Sequence, residues 1–249
     1  MGAPRLLVLM GSGETAPTMV KPHREIFDRL GPPPIPAVIL DTPYGFQENA
    51  ADISARAVDY FAQSVGRAVE VAGLPRVRGA DPLERERGMA RIAGAQWIFA
   101  GPGSPTYALQ EWRDTDVPSL LSDRLEHGGC VVFASAAVLT LGRYTVPVYE
   151  IYKVGMAPVW ADGLGLLGVL GDDVAVIPHY DNAEGGNHDT RYCYLGETRL
   201  QMLEAQLPET GWVLGVDEHT GCVLDLGEGS ATVIGRGGVT VRRAGRSVV

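Results

Sequence analysis

The chain has 249 residues, 45% hydrophobic and 20% charged, enough to bury a large core without disulfides or metals. Its formal net charge of −9 argues against nucleic acid or an anionic membrane as a partner, since both demand a basic face. The three cysteines, Cys130, Cys193 and Cys222, show neither metal-ligand spacing nor a disulfide framework, so a reducing, cytoplasmic setting is expected.

The first apolar run, residues 6–10, is too short for a signal peptide and stops at Gly11. No apolar run approaches the length of a membrane span. Runs this short suit buried strands, predicted over 5–10, 37–41, 68–71, 97–100 and 130–134. Amphipathic helices are predicted between them, over 23–30, 48–65, 83–92, 106–110 and 119–126, and glycines close most of them. Apolar strands alternating with such helices point to an α/β fold, a mostly parallel sheet with helices on both faces. Beyond residue 140, strands are predicted over 145–152, 165–170, 175–177, 213–216, 222–226 and 231–234, with one helix over 191–207. The basic, polar tail 235–249 reads as a last strand with a loose end. No linker, repeat or low-complexity segment intervenes, so one domain over 1–249 is expected.

In open parallel sheets, ligands bind beyond the carboxyl ends of the strands. Four segments fall there: Gly11-Ser-Gly-Glu-Thr15, Asp41-Thr-Pro-Tyr44, Gly101-Pro-Gly-Ser104 and Ser135-Ala-Ala137. The first continues to Ala16 and so formally matches the dinucleotide fingerprint G-x-G-x-x-A. Glu14, however, would set a carboxylate where pyrophosphate belongs, and Pro17 and Pro22 interrupt the helix that should follow. A tight structural turn is the better reading. The amides around Gly101 and Gly103 could face an oxyanion, or the segment could be a plain Gly-Pro turn.

Ser135 follows the apolar run Cys130-Val-Val-Phe-Ala134. A nucleophile elbow needs small neighbours, because strand and helix backbones nearly touch there. Ala134, Ala136 and Ala137 are small, but Phe133 and Ala137 replace the two glycines of G-x-S-x-G. A serine capping a buried helix explains the segment equally well. A serine nucleophile also needs a base, and the base needs an orienting group. Of the five histidines, His23 lies in a polar helix and His127 in a helix end. His179 closes the apolar segment 174–178 and opens a polar loop, as a base should; His188, in the same loop, is the reserve. Asp217 and Glu218 fall in a turn between two apolar strands.

Together these segments resemble the family of serine peptidases that contains aspartyl dipeptidase and cyanophycinase, relatives of the class I glutamine amidotransferases. The resemblance covers most of the chain. It rests on Gly101 to Gly103, Ser135-Ala-Ala137, Pro178-His-Tyr-Asp-Asn182, Gly196-Glu-Thr-Arg199 and Gly215-Val-Asp-Glu218 with Thr220. The order Ser135, His179, Glu218 also differs from that of α/β-hydrolases, where the acid precedes the histidine.

The resemblance implies a three-layer, amidotransferase-like (flavodoxin-like) fold. It implies Ser135 as nucleophile, His179 as base and Glu218 as the residue orienting it, with Asp217 as the alternative acid. Amides of Gly103 and Ala136 would hold the oxyanion. It points to substrate contacts after the elbow, at Tyr149, Glu150, Tyr152 and Lys153, with Glu14, Asn182 and Arg191 as further candidates. If Glu14 and Glu150 face the cleft, simple charge pairing favours a cationic substrate group. The expected reaction is hydrolysis of a peptide or amide bond in a small molecule through an acyl-enzyme, with no cofactor and no metal. Two alternatives stand beside it: an enzyme acting on a non-peptide amide metabolite, and a non-catalytic binding module. A homodimer is compatible with each.

Overall fold

A computed structural model describes residues 3–248. It is a mixed α/β structure whose strands divide into two sheets, where the sequence pointed to one. The first half contributes β1 (Arg5–Met10), β2 (Ala37–Leu40), β3 (Glu70–Val71), β4 (Trp97–Ala100) and β5 (Gly129–Ala134). The second half contributes β6 (Tyr144–Thr145), β7 (Ala161–Asp162), β8 (Val174–Ile177), β9 (Trp212–Val216), β10 (Thr220–Asp225), β11 (Ser230–Gly235), β12 (Val239–Arg243) and β13 (Arg246–Val248).

The larger sheet runs β11-β10-β1-β5-β4-β2-β3. Its β1, β5, β4, β2 and β3 are parallel, while β10 and β11 add an antiparallel edge. The smaller sheet runs β13-β12-β9-β8-β6-β7, parallel only across β6, β8 and β9. The helices are α1 (Val20–Leu30), α2 (Ala50–Asp59), α3 (Pro82–Gly94), α4 (Pro105–Trp112), α5 (Val117–His127) and α6 (Gly196–Glu204). Asp81 caps α3 by accepting from the Leu83 and Glu84 amides, and Ser104 caps α4 by accepting from Tyr107. No helix among the described residues is long and apolar enough to cross a membrane.

Strand alternation sorts the core. Leu6, Val8 and Met10 of β1 face Ile26 and Phe27 of α1 and Phe61 beyond α2. Leu7 and Leu9 face the other way, toward Trp112, Val117 and Leu121 of α4 and α5 and Val176 and Leu214 of the smaller sheet. Ala175, Ile177 and Val213 then face Leu200 and Leu203 of α6. Both faces of the central strands are thus covered, as continuous apolar runs require.

Several expected elements differ. Residues 145–152 contain no long strand: Pro147 cannot donate to a ladder, and its carbonyl instead accepts from Ile151 as the chain coils into a wide helical turn over Glu150–Val154. The glycine-rich stretch 165–170 is loop and a single tight turn, Gly168–Leu170. The described part of the tail, to residue 248, is not loose: β12 pairs with β9 and β13, and Arg242 within it is buried.

Candidate active site

The turn after β1 ties three segments together. Gly11 leaves no room for a side chain, since a Cβ there would stand 2.0 Å from the Asp217 carbonyl. That close approach lets Gly11 N donate to Thr220 O, while His219 N donates to Ser12 O, fixing the turn between β9 and β10. His179 N donates to Gly11 O, and Ser135 N donates to Met10 O. The carboxyl end of β1 therefore anchors the backbones of Ser135 and His179 and the turn that carries Glu218.

Ser135 follows β5 with φ +50°, a left-handed conformation that costs a residue with a Cβ about 1–2 kcal/mol. The chain folds back at once, with Ala137 N donating to Ala134 O and Gly101 O. A short turn over Val138–Thr140 follows, in place of the expected helix. Phe133 does not crowd this bend. It points into the core on β5, its ring 5.7 Å from that of Trp112.

Ser135 Oγ lies 2.9 Å from His179 Nε2, and His179 Nδ1 lies 2.7 Å from Glu218 Oε1. A carboxylate only accepts, so Nδ1 carries the proton and Nε2 of the neutral ring is left to accept from Ser135. His179 also has positive φ, +47°. Burial opposes ionisation of Glu218, but hydrogen bonds from Asn182 and His179 outweigh it and hold the carboxyl below its ordinary value. Asn182 Nδ2 donates to Glu218 Oε1 at 3.0 Å, and Glu218 N donates to Asp181 Oδ1 at 2.7 Å. The first contact fixes where the carboxylate points, and the second holds the backbone that carries it.

Ser135, Ala136 and His179 open onto a cleft of about 370 Å³. Tyr149, Tyr152 and Lys153 line it, with Lys153 Nζ 4.6 Å from the Tyr152 ring centroid. Among the described residues neither the Ala136 nor the Gly103 amide donates a hydrogen bond within the protein. Ala136 lines the cleft and Gly103 does not, although Gly103 packs so closely on the Pro43 carbonyl that a Cβ would come within 2.0 Å.

Other expected site residues lie elsewhere. Glu14 is buried beside Gly101, and desolvation raises its carboxyl pKa. Glu150 turns from the cleft and accepts from Thr106 Oγ1 at 2.7 Å. Neither lines the cleft, so the charge argument for a cationic substrate group loses its basis. Asn182 is 1% exposed and serves Glu218 rather than the cleft. Arg191 is held outside it by two hydrogen bonds to Asp189. Asp217 Oδ2 accepts from Gly238 N, away from His179. His188 lines the cleft but makes no hydrogen bond to Ser135. His23, expected on a polar helix, is enclosed by aromatic rings, and burial pushes its pKa down to about 4.

The opposite wall of the cleft was not foreseen. Tyr192, Cys193 and Tyr194 all take positive φ, between 56° and 63°, in place of the helix expected from residue 191. Nothing in these residue types signals a left-handed turn. Tyr194 sets its ring 5.9 Å from the His179 ring and donates to Glu184 Oε2 at 2.9 Å. Thr190, Cys193, Glu184 and Gly185 complete the wall.

No protein-family model matches the chain, and no curated protein matches it. Among solved structures, a peptidase from an acI-B1 actinobacterium is similar at TM-score 0.77 and 20% identity, over 100% of this chain and 95% of that one. A candidate peptidase E protein from Listeria monocytogenes EGD-e is similar at TM-score 0.62 and 14% identity, over 94% of this chain and 100% of that one. Across nearly its whole length, then, the chain has the fold of these two proteins, both described as peptidases, in line with the resemblance read from the sequence.

Proposed function

We propose that the chain is a serine hydrolase that cleaves a peptide or amide bond through an acyl-enzyme, on an amidotransferase-like fold. The observation that carries this reading is the continuous hydrogen-bond chain from Ser135 through His179 to Glu218, with Ser135 in a left-handed bend at the floor of a cleft. The peptidase descriptions of two proteins of the same fold support it.

His179 Nε2 takes the Ser135 proton as Oγ attacks the substrate carbonyl. The carbonyl oxygen becomes an oxyanion, which the Ala136 amide, free of any partner among the described residues, stabilises by hydrogen bonding. Glu218 holds the imidazolium that forms. His179 then gives its proton to the departing amine, which leaves Ser135 acylated. Water, deprotonated by the same nitrogen, releases the acid and restores the serine.

The test is covalent. A fluorophosphonate probe is expected to phosphonylate Ser135 in the folded protein and to leave Ser135→Ala and His179→Ala unmodified. Folded wild-type protein that stays unlabelled would contradict the proposal.

A further inference from the structure

The carboxyl-terminal segment reaches the cleft wall through one buried cation. Arg242 on β12 is 4% exposed, although the sequence around it is basic and polar. Its Nε donates to both carboxylate oxygens of Glu204 at 2.9 Å, and its two Nη atoms donate to Glu197. Both carboxylates belong to α6. The guanidinium also lies over the Tyr192 ring, 5.4 Å from its centroid, and Arg191 lies over the same ring at 5.0 Å. Tyr192 in turn packs edge-on against Tyr180, at 4.6 Å between centroids.

Tyr192 opens the left-handed turn, and the turn touches His179 twice. Cys193 N donates to the His179 carbonyl at 3.1 Å, and the Tyr194 ring packs beside the imidazole. Three successive left-handed residues with side chains do not persist unless their surroundings over-determine them. Here the surroundings are the Tyr180 and Thr190 carbonyls, which accept from Tyr192 N and Tyr194 N, the Tyr180 ring wedged against Gly215, and Arg242 over the Tyr192 ring.

We propose that Arg242 is a positioning residue. By holding Tyr192 against Tyr180 it keeps the turn left-handed, and the turn keeps His179 aimed at Ser135. The inference rests on His179 being the base, as proposed above. An ion pair that only stabilised the fold would set the melting temperature and leave reactivity at Ser135 unchanged.

Two variants separate these roles. Tyr192→Leu removes the ring and leaves Arg242, Glu197 and Glu204 in the sequence. Arg242→Met with Glu204→Met replaces the fully buried pair by apolar groups of similar volume, a change that folded proteins tolerate, and leaves Glu197, a third exposed, accepting from Gln201. For each, the readouts are cooperative melting and the second-order rate of fluorophosphonate labelling at Ser135, measured well below the melting temperature. The expected result is folded protein labelled about tenfold more slowly or worse, since small misplacement of a reacting group costs that much. Folded variants labelled at the wild-type rate overturn this inference alone. A wild-type protein that takes no label overturns the nucleophile proposal and this inference with it.

Discussion

The convergence of Ser135, His179 and Glu218 was legible because each ends an apolar run or follows one, and strand ends of this kind meet at one edge of a sheet. Glu218 is expected to orient His179 and to stabilise its charged form. Glu218→Gln should therefore fold normally and lower the labelling rate by about 10²–10⁴-fold. A loss within a factor of two would assign the acid's role elsewhere. Phe133 departs from the usual elbow glycine, yet it is fully buried against Trp112. Phe133→Ala should cost about 3–5 kcal/mol of stability in a denaturant melt, with no change in the position of Ser135. Asn182, Glu14 and Glu150 were misjudged for one physical reason. A polar residue in a loop announces that it needs a partner, not which partner it finds. Asn182 finds Glu218, Glu150 finds Thr106, and Glu14 is enclosed beside Gly101.

At the scale of elements, the alternating first half was legible, and each helix predicted between its strands exists. The second half was not, because its backbone is shaped by contacts distant in sequence. The turn at Tyr192 to Tyr194 and the buried Arg242 belong to this class. Arg242 pulls the Glu197 carboxyl down to about 2 from an ordinary 4.5. A depressed carboxyl contributes stability above its unfolded value and loses it as pH falls through its folded value. Stability should therefore decline between about pH 4.5 and about pH 2, and removing the guanidinium should flatten that limb. Melting temperatures measured against pH check this. His23 on α1 acts at higher pH. Burial lowers its pKa from 6.5 to about 4, so protonation favours the unfolded chain, and stability should already fall as pH drops across that interval. His23→Gln should abolish that component; a pH profile identical to wild type would show that His23 is not its source.

The molecule as a whole joins two sheets through one core, with β8 and β9 packing against the face of the larger sheet that α4 and α5 also cover. This arrangement buries all three cysteines. Desolvation pushes the Cys193 thiol up to about 12 and the Cys222 thiol up to about 11, and raises Cys130 as well. A thiol must ionise to react. Native protein should therefore resist iodoacetamide at mildly alkaline pH, and unfolded protein should take up three equivalents. Rapid alkylation of Cys130 or Cys222 in the native protein would show that the core opens far more easily than this packing allows. The same close packing makes Gly11 the joint between β1, His179 and the Glu218 turn, so Gly11→Ala should lower both the melting temperature and the reactivity of Ser135.

The acyl-enzyme is the central claim, and acid-quench mass spectrometry tests it most directly. Wild-type protein mixed with p-nitrophenyl acetate and quenched in acid should carry a single acetyl group on the peptide containing Ser135, and Ser135→Ala and His179→Ala should carry none. Folded wild-type protein with no acetyl on Ser135, or acetylation that survives Ser135→Ala unchanged, would contradict it.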